Sequence, residues 1–387
     1  MKIRKCLIIF VVLLFLFAHH PIKIAFAEED LNTENSVDEI IAEIAEGLDL
    51  SALEEFLKNN LGDYDLNELI TSAIKGESFS LENFLDLILE IFKNKFQLVK
   101  SSIISILAIL LVFAILSVLQ PDKGQVNEII FMVSYCFVGV LVFTLCANSI
   151  KSVSEIITNL AYQTEKIFPV LLSLISIVGA NSSLKVFQPT FIFVSNAIVE
   201  IILRILLPIV SICGVLSLIS AISEKFTLKK LMDFFIDLFK WIIGITLAIF
   251  SIFTGVKGLT AGIYDNFSLQ IIKYTVGNSF PLIGSFAKEG VDVFLVSGVL
   301  IKNAVGLISI IVLFFALIAP FLELALLSFA LKLLSAFSES FSDTRITHML
   351  NASSKVISLL STLLVMFFVI MFILFLLVIK IHSGILS

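Results

Sequence analysis

Apolar residues along this chain fall in long runs, not in the alternating or four-residue rhythm of a soluble domain. A bilayer-crossing helix needs roughly 20 mostly apolar residues. Runs of that kind occur at about 101–119, 129–147, 190–219, 241–256 with its flanks, 303–331 and 356–379. Two further runs are shorter or broken. Residues 167–180 stop at Asn181-Ser182-Ser183, and residues 280–301 are interrupted by Lys288, Glu289 and Asp292. Both open on the same dipeptide, Phe168-Pro169 and Phe280-Pro281.

The coincidence extends downstream. Pro208 follows Pro169 at the same spacing at which Pro320 follows Pro281, and each second proline lies deep in an apolar run. Ala221-Ile222-Ser223-Glu224-Lys225-Phe226 then corresponds to Ala336-Phe337-Ser338-Glu339-Ser340-Phe341. Lys240 and Lys355 lie equally far beyond that Phe, and each opens another apolar helix. This spacing predicts an internal repeat, residues 167–256 and 257–387, after a first transmembrane pair at 96–166.

Loop charge decides whether the Phe-Pro segments cross, because cytoplasmic loops carry an excess of Lys and Arg. If they dip in and return, the inner segments 120–128, 220–240 and 332–355 hold 8 Lys/Arg. The outer segments 148–189, 257–302 and 380–387 also hold 8, spread over a far longer stretch of chain. If both cross, inner and outer segments hold 7 each and the outer ones are the shorter, which reverses the bias. The expected fold is therefore an all-α polytopic membrane protein, with about six transmembrane helices and two re-entrant hairpins. Each repeat comprises a hairpin, a long proline-bearing helix, a cytoplasmic amphipathic helix and a second span. Both mature ends lie outside. Broken segments at membrane depth are tolerated only within protein or beside water, and in pairs they point to a transport pathway.

The N-terminus adds an export signal and an acidic segment. Lys2, Arg4 and Lys5 precede an apolar stretch from Cys6 to Ala18, and Ala25-Phe26-Ala27 forms a small-residue cleavage site over residues 1–27. Residues 28–95 then carry 18 Asp/Glu against 4 Lys, which accounts for the net charge of −6 of the 387-residue chain. Three capping-box patterns begin there at Ser36, Ser51 and Asp65. Narrow apolar stripes follow, including Leu66, Leu69, Ile70 and Ala73, and later Leu81, Phe84, Leu85, Ile88 and Phe92. A small exported helical segment is expected, docked on a partner or on the rest of the protein; a loosely ordered spacer is the alternative.

Composition agrees with lipid as the main solvent. Hydrophobic residues make up 58% of the chain and charged residues only 15%, too much apolar surface for a polar exterior. No basic stripe is available to neutralise phosphates, so nucleic acid is not an expected ligand. Cys6 lies in the export signal, and Cys136, Cys146 and Cys213 lie in apolar runs, a pattern of buried thiols without disulfide or metal spacing.

Charges inside apolar runs are the candidate functional residues, because such groups are costly in lipid and usually face protein or water. Glu200 and Arg204 lie four apart, share a helix face and can pair. They read either as a pathway pair or as a structural ion pair. Glu323 sits three residues after Pro320 with no local partner, and Lys302 opens the same helix from a position where it can snorkel to the surface. Pro169, Pro208, Pro281 and Pro320 are the helix breakers, each releasing a backbone carbonyl if it stands inside a helix. Gly255, Gly258 and Gly262 fit either close helix approach or a turn. No His-Glu-x-x-His, Gly-x-Ser-x-Gly or phosphate-cradling loop is present, so neither an enzyme nor a cofactor is expected.

Several short stretches in order carry a family resemblance. They are Val186-Phe187-Gln188-Pro189, Gly258-Leu259-Thr260-Ala261-Gly262, Ile272-Lys273-Tyr274 with Gly277-Asn278 and Phe280-Pro281, Ile301-Lys302-Asn303-Ala304-Val305-Gly306, and Ala319-Pro320. Together they resemble stage III sporulation protein AE of endospore-forming bacteria. The resemblance implies a subunit of a channel or secretion-like complex joining mother cell and forespore, in the mother-cell membrane around the forespore. It also implies partners: a cytoplasmic ATPase, ring-forming proteins between the membranes, and a forespore-membrane protein. Two other readings remain open, a stand-alone secondary transporter with a small-molecule or ion site between the repeats, and a structural membrane scaffold.

Overall fold

The computed structural model describes residues 50–61, 66–74, 81–119, 125–177, 181–219, 228–279, 284–339 and 344–380. The export signal with Ala25 and Ala27, the acidic stretch through residue 49, and Pro281 lie outside them. Among the described residues the elements are all helical: α1 (Ser51–Leu61), α2 (Leu66–Ile74), α3 (Leu81–Leu119), α4 (Gln125–Ile177), α5 (Asn181–Ile201), a π turn (Ile202–Leu206), α6 (Leu207–Ile219), α7 (Lys229–Ser279), α8 (Gly284–Ser338) and α9 (Thr344–Lys380).

Six stretches are long and apolar enough to span: Asp86–Leu116, Glu128–Leu174, Phe191–Ile219, Lys229–Thr254, Ser297–Ser338 and Thr344–Ile379. In lipid every backbone polar group must be satisfied within its own segment, and long helices of apolar residues meet that demand. At 1.5 Å per residue, α4, α7 and α8 are each roughly 80 Å long, so they outreach a hydrocarbon layer of roughly 30 Å and project beyond it.

The helix ends that flank three chain connections gather at one end of the bundle. Near the first and third, the Arg345 guanidinium lies 4.0 Å over the Phe131 ring. The Tyr135 hydroxyl donates to the Leu218 carbonyl near the second. Ser335 donates to the Thr347 carbonyl at 2.9 Å across the third. The helix ends on either side of 120–124, 220–227 and 340–343 therefore share one side. The opposite end holds the α4–α5 reversal, where Phe168 stacks on Phe191, and the end of α9, where Lys302 meets Ile379. An arrangement of six crossings puts the same three connections together on the side with the denser positive charge.

The first Phe-Pro segment continues an existing helix, and the second lies outside the described residues. Pro169 lies inside α4, eight residues before its end, so α4 runs through it and the chain reverses between Ile177 and Asn181. A proline inside a helix forfeits one hydrogen bond and frees the carbonyl four residues back, here that of Glu165, without turning the chain around. In the second copy, Phe280-Pro281 falls in the interval between α7, ending at Ser279, and α8, starting at Gly284. The amphipathic helix expected at 332–355 is not a separate element. Residues through Ser338 finish α8, and those from Thr344 begin α9.

The acidic segment also joins the main body. α1 starts at the Ser51 capping box, and its stripe of Leu53, Phe56 and Leu57 is fully buried against α4 and α8. Asn60 donates to Gln163 at 3.1 Å, and Lys166 pairs with Glu55 at 3.0 Å. α2 buries Leu66 and Ile70 on α8. The boundary drawn at residue 95 falls inside α3, which carries the last acidic stripe straight into the first span.

At the centre stand α8 and α9, packed against each other along their length and surrounded by α3, α4, α6 and α7. Leu313, Leu334, Met349, Leu360, Phe367 and Phe375 are among the buried side chains of this seam. Small polar residues knit it together. Ser328 donates to the Ser354 carbonyl at 2.9 Å, Ser338 meets Thr347 at 2.9 Å, and Ser217 of α6 meets Ser353 at 3.2 Å. Such groups allow close backbone approach and add interhelical hydrogen bonds where apolar contact alone does not distinguish protein from lipid.

Candidate functional site: charges within the spans

The four charged candidates separate into three settings. Glu200 and Arg204 pair one helical turn apart, with Arg204 Nη2 donating to Glu200 Oε1 at 3.3 Å and Nε closing a second contact to Oε2. Their side chains are 55% and 77% exposed on the surface of the chain, not buried in the bundle. They stand at the middle of the Phe191–Ile219 span. Glu200 is nine residues past its start and Arg204 fifteen before its end, roughly 13 and 22 Å along the axis.

The local backbone explains how this stripe is displayed. Pro208 lacks the N–H that would close the normal helical bond to the Arg204 carbonyl. The chain passes through one π turn just before it, in which the Leu207 N–H reaches back five residues to the Ile202 carbonyl. Such turns relieve a proline inside a helix and often occur at functional positions. Asn196, Glu200, Arg204 and Pro208 follow at four-residue intervals, and all four are exposed. The Asn196 end of the stripe opens on a small cleft between α4 and α5 lined by Glu165, Phe168, Pro169, Phe191, Ser195 and Asn196.

Glu323 has a partner that sequence spacing does not reveal. Lys95 of α3, far away in the chain, donates to its Oε2 at 2.7 Å. The pair is partly exposed, Lys95 at 26% and Glu323 at 42%. It ties the first half of α3 to the turn of α8 that follows Pro320.

Lys302 does not snorkel. Its side chain is fully buried, and Nζ donates to the Ile379 carbonyl at 2.9 Å. Ile379 belongs to the last turn of α9, whose final carbonyls lack N–H partners within the helix and carry the negative end of its dipole. The ammonium thus caps α9 from a neighbouring helix. Gly306, one turn further along α8, makes room for that approach. A Cβ there would stand 2.5 Å from Ile379 Cγ1 and 2.9 Å from Cδ1.

These three settings are not brought together into one site. Among the described residues no group of three or more His, Cys, Asp and Glu could hold a metal ion. Cys146 and Cys213 are buried free thiols, as expected, whereas Cys136 is exposed. Sequence reasoning missed Lys95 and the serines of the central seam. Lys95 lies in the segment read as exported, and an isolated serine in an apolar run gives no sign of its distant partner.

Comparison with known proteins agrees with the motif order. The family model for stage III sporulation protein AE matches residues 64–383, a stretch that includes all six candidate spans. Stage III sporulation protein AE of Bacillus subtilis (strain 168) is 23% identical over 342 residues, covering 85% of this chain and 85% of that protein. No solved structure matches the chain. With the match running through the whole membrane part and the resembling motifs in order within it, the chain belongs to the stage III sporulation protein AE family.

Proposed function

We propose that this protein is a multi-pass membrane subunit of a channel or secretion-like complex linking mother cell and forespore, needed for late forespore development. The observation that carries this reading is the extent of the family match. It takes in every span, so what is shared with a sporulation protein is the membrane machinery itself and not a peripheral module. The exposed Glu200–Arg204 pair at mid-span supports it further, since that surface is unsuited to lipid and fits a protein that works in company. The chain sits in the mother-cell membrane with its acidic segment in the intermembrane space. A cytoplasmic ATPase supplies energy from the face bearing residues 120–124, 220–227 and 340–343, and ring proteins dock on the opposite face. Its own work is transport or assembly, not catalysis.

The test is genetic and biochemical together. Deletion in the spore-former that encodes it should abolish late forespore-specific reporter expression after engulfment, and the tagged full chain should co-purify with a cytoplasmic ATPase. Full reporter expression in the deletion strain would sink the proposal. For orientation, Ser223→Cys in a chain lacking native cysteines should react with a membrane-impermeant maleimide only after permeabilisation. Labelling in intact protoplasts would reverse the topology.

A further inference from the structure

We infer that the Asn196–Glu200–Arg204 stripe is the contact through which this chain associates with a second copy of itself, forming a polar seam across the membrane. The inference needs only that the chain is membrane-embedded, and it stands apart from the identity of the larger complex.

The starting point is a cost. Two charged side chains project from the surface of the Phe191–Ile219 span, each more than two helical turns from either end. Their mutual pairing along one helix cancels net charge but leaves both heads with unfilled hydrogen-bonding capacity, because a guanidinium has five donors and a carboxylate about four acceptor sites. In hydrocarbon that capacity has no outlet. At Pro208 the missing N–H leaves a carbonyl of the preceding turn without its normal helical bond. The face must therefore be covered by polar groups.

The stripe's own chemistry selects the cover. It carries one positive and one negative charge, and one amide that both donates and accepts, so each group on the face has its complement on the same face. A contact between identical surfaces requires that self-complementarity. Copies in one membrane have the same orientation, so Glu200 of one copy lies at a depth one turn, roughly 6 Å, from Arg204 of its neighbour, within reach of an Arg side chain. Asn196 meets its counterpart at equal depth, and interhelical amide pairs of this kind are a recurrent glue in membrane bundles. Flanking the polar line are Phe193, Ile205, Ile212 and Val215, all exposed and able to pack around it. Elsewhere on the surface, α7 exposes the large apolar side chains Phe234, Trp241, Ile245, Ile249 and Ile252, which fit lipid without a partner, and its exposed ion pair, Asp237–Lys240, lies within its first twelve residues.

The test separates pairing between copies from pairing within one. Full-length chains carrying two different tags are co-expressed, crosslinked in native membranes and solubilised in mild detergent, and co-purification is quantified. Wild-type copies should co-purify. Glu200→Ala on both copies, or Arg204→Ala on both, should lower recovery at least about tenfold, the scale of losing one member of a buried charge pair. Mixing one Glu200→Ala copy with one Arg204→Ala copy should restore most of it, because Arg204 of the first still meets Glu200 of the second although neither retains its own pair. Disulfide trapping supplies a readout with the charges untouched. In a chain without native cysteines, Phe193→Cys or Val215→Cys should give a disulfide-linked dimer on mild oxidation, and Ile249→Cys should not. Failure of wild-type copies to co-purify, equal recovery for matched and mixed pairs, or trapping of a different protein at position 193 would each overturn the inference.

Discussion

The two proline-bearing hairpins of the membrane part have the same order of elements and occupy opposite positions in the bundle. In the second, α8 with α9, 61% and 67% of the most apolar window is buried inside the chain; in the first, α5 and α6 with α7, the figures are 50% and 28%. Pro208 and Pro320 stand at matching points of the two hairpins. One is a centre around which the other helices gather, and the other is a rim. Small residues contribute to the difference. Gly306, Ser309, Ser328, Ser335 and Ser338 let α8 approach its neighbours closely and bond across the gap. α7 presents Phe234, Trp241, Ile249 and Ile252 outward. Leucine and lipid are equally apolar, so apolarity alone does not draw a helix out of lipid, and burial within the bundle needs surfaces that can approach closely.

Charge follows the same division. In the central hairpin Lys302 is enclosed and spent on capping α9. On the rim hairpin Glu200 and Arg204 face outward and pair with each other. The centre uses the Lys302 side chain to hold the fold together, while the rim leaves the Glu200–Arg204 pair on the surface, where another protein can reach it.

A paired glycine substitution is the sharpest way to break this contrast. Gly306→Leu drives a side chain into Ile379 and should lower stability by about 1–3 kcal/mol or more, the usual scale of overpacking. Gly244→Leu, on the rim helix α7, meets nothing within 4 Å and should stay within about 0.5 kcal/mol of wild type. Thermal unfolding of both variants in the same detergent measures the difference, and equal losses would mean that the two hairpins are not centre and rim.

A somewhat smaller effect is expected at Lys302. Lys302→Met keeps the stem and removes the donor, leaving the Ile379 carbonyl buried without it at a cost of about 1–3 kcal/mol. Denaturant titration in mixed micelles reads this loss, and an unchanged midpoint would show that the α9 terminus is capped otherwise. The Lys95–Glu323 pair is partly exposed, so a double-mutant cycle with Lys95→Met and Glu323→Gln should give a coupling below about 1 kcal/mol. A coupling several times larger would place α3 in the core with α8 and α9. Smallest of all is Ile249→Ala on the outer face of α7, expected within about 0.5 kcal/mol because its side chain is 63% exposed.

Much of this was legible in the residue order, for identifiable reasons. The six runs became six spanning helices because length and apolarity are local properties, and the bilayer fixes what they must do. The loop-charge balance depends only on counting Lys and Arg between runs, so it groups connections by side without knowledge of packing. The Phe-Pro segments were less legible. A proline advertises a lost hydrogen bond without showing whether the helix ends there or runs through it, as it does at Pro169. Glu200 and Arg204 were found together because four residues along a helix define a contact, whereas Lys95 and Glu323 are related only by the way α3 lies on α8.

What the residue order determined by itself is therefore the solvent of this chain, the number of its crossings, and the family to which its motifs belong. Each of these is a sum over neighbouring residues. The tertiary structure alone decided which hairpin is the centre, that Lys302 caps a helix instead of reaching for water, and that the mid-span pair of the first hairpin looks outward. Those outcomes depend on how closely helix surfaces far apart in the chain can approach one another, and one-dimensional apolarity carries no measure of that distance.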